Sequence, residues 1–181
     1  MARVITWLAA GLLAGWCLVV VQTSFIQALP YPFSTISLVL GVTYVVVFLV
    51  DYPLGIASAT WLGLLLEMRS PLAPGSMIIP LLLALVVVNF LFNLLFTNRS
   101  LYSLVLLSGL ATVFFHLGHI VYQAAAWRFN ISPFHITVDR LWLATIFWQT
   151  ALTLLFVAGS FILLRFVSRR FHSAFLVGGR R

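Results

Sequence analysis

Long apolar runs separated by short polar segments form the dominant pattern along this chain. A helix needs about 20 residues to cross roughly 30 Å of hydrocarbon, and four of the runs reach that length. They predict membrane-spanning helices at Val4–Ala28, Met77–Phe96, Leu101–Ala126 and Leu141–Val167.

A fifth apolar stretch, between Phe33 and Met68, is interrupted near its middle. Asp51 is costly in lipid, and Pro53 lacks the N–H that a continuous helix needs. The interruption predicts two short helices, Phe33–Val50 and Leu54–Met68, joined by a tight turn. The total is six helices, and polar residues suited to N-caps mark four of the starts: Ser34 or Thr35, Ser76, Ser100 and Asp139.

Composition agrees with a membrane protein. Hydrophobic residues make up 63% of the 181 residues and charged residues 7%, whereas a soluble domain carries about 25% charged residues. Most of the surface must therefore face membrane lipid. The net charge of +7 could indicate nucleic acid, but the arginines stand at the ends of apolar runs, so the membrane explains them and no nucleic-acid partner is expected.

The arginines also predict the orientation. With the N-terminus in the cytoplasm, the outside loops hold three arginines, Arg69, Arg128 and Arg140, and the inside segments hold seven. This distribution fits the positive-inside rule. We therefore predict an all-α integral membrane protein with six transmembrane helices and both termini cytoplasmic. Residues 1–168 would form a single transmembrane domain, and residues 169–181 a basic cytoplasmic tail able to touch anionic lipid.

Little in the sequence indicates catalysis. The chain has three acidic residues, and no HExxH, GxSxG or glycine-rich phosphate loop occurs. His116 and His119 share one face of the fifth helix and could begin a metal site, but a metal site needs a third ligand. We favour two neutral imidazoles hydrogen-bonded between helices. No enzyme activity, cofactor or metal is expected.

Small residues recur at helical spacing in two of the predicted helices. In a bilayer, close packing of small residues holds helices together, so these faces are candidate helix-packing or partner interfaces. They comprise Ala10, Gly11, Ala14 and Gly15 in the first helix, and Gly55, Ala59 and Gly63 in the third.

The next step of four along the third helix reaches Glu67. A carboxylate at a helix C-terminus opposes the macrodipole, so Glu67 needs a compensating partner. The external cations Arg69, Arg128 and Arg140 are the candidates, and together the four residues form a predicted external charged cluster. One interpretation is an exposed ion pair of small energetic value. The other is that Glu67 clamps the loop "RSPLAPGS" against the external loop 127–140 and shapes a surface for a partner.

The order of features resembles the rod shape-determining protein family MreD. The resemblance is carried by "QTSFIQALPYPF", "GIASATWLGLLLEMRSPLAPGS" and "FTNRSLYSLVLLSGL". A third helix that contains glycine and ends in an acid, followed by a loop of small residues and a glycine, is typical of the family, and Gly63, Glu67 and Gly75 match those positions. The chain departs from the family in having Glu where Asp is usual and in its proline-rich loop.

The resemblance implies a non-enzymatic scaffold of the machinery that elongates rod-shaped bacteria. Its setting would be the bacterial cytoplasmic (inner) membrane. Its implied partners are an MreC-like bitopic protein, a peptidoglycan glycosyltransferase and transpeptidase, and indirectly the MreB cytoskeleton. MreD is also similar in shape to the S-components of energy-coupling-factor transporters. The alternative is therefore a small-molecule-binding transporter subunit, which would dock through the small residues of its first helix and close polar external loops over its ligand.

Overall fold

The computed structural model describes the backbone of residues 2–50, 52–95, 101–131 and 139–178, and the side chains of residues 10–48, 52–94, 101–131 and 139–166. Within these ranges the chain is all-helical and has no strand, which confirms the predicted fold class at that level. The six α-helices are α1 (Ala2–Val21), α2 (Leu38–Val45), α3 (Tyr52–Glu67), α4 (Ile78–Leu95), α5 (Leu101–Arg128) and α6 (Arg140–Gly178).

Two of the helices continue as wider π-helical turns, α1 over Gln22–Ile26 and α2 over Val46–Val50. The start of α2 differs from the prediction. Phe33–Thr35 form a separate 3₁₀ turn, in which the Thr35 hydroxyl donates to the Pro32 carbonyl at 2.7 Å. Ser37 takes the N-cap position instead, because its hydroxyl accepts a hydrogen bond from the Leu40 N–H at 3.3 Å.

The other predicted helix ends have mixed outcomes. Asp139 is confirmed as an N-cap, since its carboxylate accepts from the Trp142 N–H at 2.8 Å. Ser76 does not cap α4 with its own oxygen, because its hydroxyl points towards the Glu67 carboxylate. The last helix does not end at Val167 but runs on to Gly178, so most of the predicted tail is helical. Ser100 and Asp51 lie outside the described residues.

Two of the helices are long and apolar enough to cross a membrane: α5, and α6 as far as Phe166. Only 28% of the most apolar window of α5 is buried inside the bundle, and 11% of that of α6. Their apolar side chains therefore lie mostly on the outside of the protein. Shorter apolar helices occupy Ala10–Ile26, Leu38–Phe48 and Ile78–Leu94, as expected from the apolar runs.

The hydrophobic core lies where α2, α4, α5 and α6 meet. Its fully buried side chains include Tyr44 on α2, Leu85 on α4, Leu107 on α5 and Val157 on α6. α5 packs between α4 and α6, while α3 packs on α4 and on the π-helical turn that follows α2. α1 rests mainly on α3 at the edge of the bundle, so one side of α1 has few neighbours among the described residues.

The small residues of α3 lie inside the bundle. Ala59 is 0% exposed, and Gly55 and Gly63 are also buried. A Cβ atom on Gly55 would collide with Val47, whose Cα would lie only 2.8 Å away, and one on Gly63 would lie 3.3 Å from the Cα of Ile78. This face of α3 is therefore the surface on which α4 and the turn after α2 make their closest approach.

Candidate functional site

Glu67 is the last residue of α3, and its carboxylate forms hydrogen bonds with the residues at the beginning of α4. Its Oε1 accepts from the Ser76 N–H at 2.9 Å and from the Ser76 hydroxyl at 3.4 Å. Its Oε2 accepts from the N–H groups of Met77 and Ile78 at 3.1 and 3.2 Å. One carboxylate thus satisfies three consecutive backbone donors at a helix start, which have no partner within their own helix.

This geometry explains how an acid is tolerated at the end of an apolar helix. The positive end of the α4 macrodipole faces the carboxylate and offsets the unfavourable negative end of α3. Gly75 allows the turn between them, because its φ of +89° is a conformation that L side chains rarely adopt. The charge of Glu67 is therefore stabilised by helix geometry and backbone N–H groups.

α5 holds the same loop in place. The imidazole of His119 lies with Nδ1 at 2.8 Å from the Ser76 carbonyl oxygen, and the Tyr122 hydroxyl donates to the Pro74 carbonyl. The loop 68–77 is thus fixed to α4 through Glu67 and to α5 through two side chains. The sequence led us to expect a hydrogen bond between helices, whereas His119 contacts the loop that precedes α4.

The structure does not bring the predicted external charged cluster together. Arg69 turns away from Glu67, and its Nη1 donates to the Thr23 hydroxyl at 3.0 Å, which ties the loop to the end of α1. Arg128 lies exposed in the last turn of α5, and Arg140 is exposed at the start of α6. The partners of Glu67 among the described residues are N–H and O–H groups of residues 76–78. The predicted clamp against loop 127–140 falls partly on residues 132–138, outside the described residues.

An open apolar groove of about 570 Å³ runs between α1 and α3. Three of the four small residues singled out in α1 lie along it, and the fourth, Ala10, is exposed beside them. The residues that line the groove are Gly11, Leu12, Ala14, Gly15, Leu18, Val42, Leu54, Ala57, Ser58, Trp61 and Leu62.

The two glycines of α1 have different surroundings in this groove. A Cβ atom on Gly11 would meet nothing within 4 Å, whereas one on Gly15 would lie 2.9 Å from the Trp61 ring. Gly15 is therefore already used for packing inside the chain, while Gly11 and the exposed Ala14 leave room for another molecule. The indole Nε1 of Trp61 is buried and has no hydrogen-bond partner among the described residues.

A second, polar cavity of about 360 Å³ lies at the end of the bundle where Glu67 and the loop 68–77 are found. It is open on one side and is lined by the π-helical turn after α1, the segment before α2, the start of α2, the end of α3, the start of α4, the middle of α5 and the start of α6. Its polar side chains are Gln22, Gln27, Ser34, Thr35, Ser37, His116, His119, Thr145 and Gln149, with Phe115 and Trp142 as its aromatic members.

Hydrogen bonds hold several of these polar groups in fixed positions. The Gln22 Oε1 accepts from the Val39 N–H at 2.9 Å, which joins the end of α1 to the start of α2. The Thr145 hydroxyl donates to the Leu141 carbonyl at 2.9 Å. By contrast, the Nε2 atom of His116 is buried and has no hydrogen-bond partner among the described residues. The described residues contain no group of three metal-binding side chains.

The sequence singled out both histidines, but it did not predict that they share a cavity with the amides of Gln22 and Gln149. His116, Gln22 and Gln149 come from different helices, and helical spacing relates only residues within one helix. Comparison with models of protein families, with curated proteins and with solved structures finds no match to this chain.

Proposed function

We propose that this chain is a multi-pass protein of the bacterial cytoplasmic membrane, with six spans and both termini in the cytoplasm. The support is the arginine distribution, together with two long apolar helices whose side chains lie mostly outside the bundle. A reporter fused after Arg181 should indicate a cytoplasmic C-terminus, and an external C-terminus would exclude this six-span arrangement.

We further propose that the protein acts as a non-enzymatic scaffold of the cell-elongation machinery. The single observation that carries this proposal is the groove between α1 and α3. Gly11 has no atom within 4 Å of where its Cβ would lie, and Ala14 has only a small exposed side chain. The backbone of another helix can therefore come close to α1 in the groove. In lipid, where the hydrophobic effect does not drive helices together, such close contact is the main source of helix association.

The occupant that best fits the groove is the single transmembrane helix of an MreC-like bitopic protein. The walls of the groove are apolar apart from Ser58, which matches an apolar helix rather than a polar loop or a soluble domain. Leu12 and Leu54, 46% and 56% exposed, stand at its edges and offer further apolar contact. Through this partner, the protein would connect to the MreB filament and to the peptidoglycan glycosyltransferase and transpeptidase.

The substitution Gly11→Leu tests the proposal, because a Cβ atom on Gly11 meets nothing within 4 Å and the larger side chain has open space in the groove. We expect it to reduce co-purification of the bitopic partner by about tenfold, which corresponds to roughly 1.4 kcal/mol, while the variant still inserts in the membrane and is at least as stable as the wild type.

Gly159→Leu is the matched control. A Cβ atom on Gly159 also meets nothing within 4 Å, but Gly159 lies on α6, away from the groove. It should leave co-purification unchanged. Equal recovery of the partner with Gly11→Leu and with Gly159→Leu would contradict docking in the groove.

A further inference from the structure

We propose that the polar cavity beside the loop 68–77 is a binding site for a small, uncharged, planar molecule that carries both hydrogen-bond donors and acceptors. The cavity volume of about 360 Å³ is at the lower end of the range of about 300–1,000 Å³ seen in ligand pockets. The proposal does not depend on the scaffold function, because the cavity and the groove share no lining residue.

The charge of the ligand follows from the residues that line the cavity. None of the side chains that surround it is an acid, a lysine or an arginine. The nearest acid, Glu67, is already occupied by the N–H groups at the start of α4. Arg69 is committed to Thr23. Because a buried charge without a counter-charge is strongly unfavourable, the cavity favours a neutral ligand.

The hydrogen-bonding character follows from the two imidazoles and the amides. A carbonyl oxygen only accepts, so the contact of His119 Nδ1 with the Ser76 carbonyl places a proton on Nδ1. In the neutral ring, Nε2 of His119 is then an acceptor. His116 contributes a second Nε2, which is buried and has no partner among the described residues. A ligand that pairs with this atom would remove the cost of leaving it unsatisfied.

The planar shape follows from the aromatic side chains. The Phe115 and His116 rings lie edge to face with centroids 5.5 Å apart, and His116 and Trp142 do so at 6.1 Å. Phe115 also stacks on His119 at 6.2 Å and an interplanar angle of 24°. These rings form a wall on which a flat ring can pack face to face or edge to face, and Gln149 and Gln22 also line the cavity.

Other occupants fit the cavity less well. A metal ion would need three or more suitable ligands, and no group of three His, Cys, Asp or Glu occurs in the described part of the chain. A lipid acyl chain would leave the imidazoles and amides without partners, and a lipid phosphate would meet no cationic side chain in the cavity lining.

The test uses the purified full-length chain in detergent. Three neutral probes, benzamide, nicotinamide and uracil, are each compared with a charged relative, namely benzoate, nicotinate and orotate. We expect at least one neutral probe at about a hundred times its dissociation constant to raise the Tm by about 5 °C. The same probe should change the Trp fluorescence, since Trp142 lines the cavity. The charged relative of that probe should have at least tenfold weaker affinity.

Two variants locate the binding. Gln149→Leu removes an amide from the cavity and His116→Phe keeps the aromatic ring but removes both nitrogens, so each should weaken the probe's affinity at least tenfold. Gln123→Leu is the control, because it makes the same amide-to-leucine change at a buried position of α5 that lies outside the cavity lining. It should bind the probe like the wild type.

Four results would overturn the proposal. They are the absence of any Tm shift with all neutral probes, equal binding of the charged relatives, and unchanged probe binding in both Gln149→Leu and His116→Phe. The fourth is a co-purified phospholipid, detected by native mass spectrometry, that is lost from Gln149→Leu but kept by Gln123→Leu. Loss of partner binding in Gly11→Leu has no bearing on these results, so the two proposals fail separately.

Discussion

The small residues of α1 and those of α3 repeat at the same helical spacing, but they have opposite surroundings. On α3, Ala59 is 0% exposed and Gly55 lies against Val47. On α1, Gly11 has open space where a side chain would be, and Ala14 is exposed. Sequence spacing predicts close approach at both faces, but only the structure separates the face that is packed inside the bundle from the face that is partly open.

The difference arises from the position of each helix in the bundle. α3 has neighbours on two sides, α4 and the turn after α2, whereas α1 packs mainly on α3. The small-residue face of α3 therefore contributes to folding, whereas our proposal assigns the face of α1 to association. Substitutions that enlarge residues on the two faces should separate these roles. Those on α3 should change the free energy of unfolding, and those on α1 should change partner binding.

The largest effect is expected from Ala59→Leu. The added atoms have no room beside a fully buried Cβ, so the free energy of unfolding should fall by about 3 kcal/mol, the upper end of the usual cost of overpacking. Leu64→Ala, on the same helix at a position 45% exposed, should change it by about 0.5 kcal/mol or less. Equilibrium unfolding in mixed detergent micelles measures both. Equal losses would mean that the α3 face is not enclosed.

A smaller loss is expected from Glu67→Gln, which tests the end of the same face. The amide keeps one acceptor but turns its own donor towards N–H groups of residues 76–78, so the free energy of unfolding should fall by about 1–3 kcal/mol. Asp139→Asn is the control, because Asn is as good an N-cap as Asp and Asp139 accepts one exposed hydrogen bond. If the two variants are equally stable, the Glu67 contacts contribute little to the fold.

The smallest effect is expected from alanine at the two glycines of α1. Gly11→Ala should raise the free energy of unfolding by about 0.5–1 kcal/mol, because alanine loses less backbone entropy in a helix. At Gly15 the new Cβ would meet the Trp61 ring at 2.9 Å, so Gly15→Ala should gain nothing or lose stability. The same unfolding measurement compares them, and an equal gain at both sites would show that Trp61 does not constrain α1.

Much of the helical architecture could be predicted from hydropathy, because long apolar runs and their polar interruptions have few other solutions. The predicted third helix, Leu54–Met68, differs from the observed Tyr52–Glu67 by two residues at one end and one at the other. The predicted start of α2 was wrong, because Ser34 and Thr35 are as suitable for the N-cap position as Ser37, the residue that occupies it. The choice among them depends on the 3₁₀ turn at Phe33–Thr35, which has no distinct pattern in the sequence.

The environment of Glu67 could be predicted only in part. The sequence showed that a carboxylate at a helix C-terminus needs a partner that offsets its charge. It favoured arginines as that partner, because cationic side chains can be recognised from the residue type alone. Backbone N–H groups belong to every residue except proline. The sequence therefore does not indicate which of them will act as hydrogen-bond partners of a carboxylate. The only local signal was Gly75 followed by Ser76, a turn residue before a potential helix start. The polar cavity was hidden for a related reason, since its residues meet only through tertiary packing.

The bonds of Glu67 also bear on how the chain is built during synthesis. All of its partners lie 9 to 11 residues further along the chain, whereas the contacts of His119 and Tyr122 with the same loop join residues 43 and 48 positions apart. The α3–α4 hairpin can therefore neutralise its own carboxylate before α5 has left the ribosome. The carboxylate is then already hydrogen-bonded when α5 docks on a loop whose shape is set.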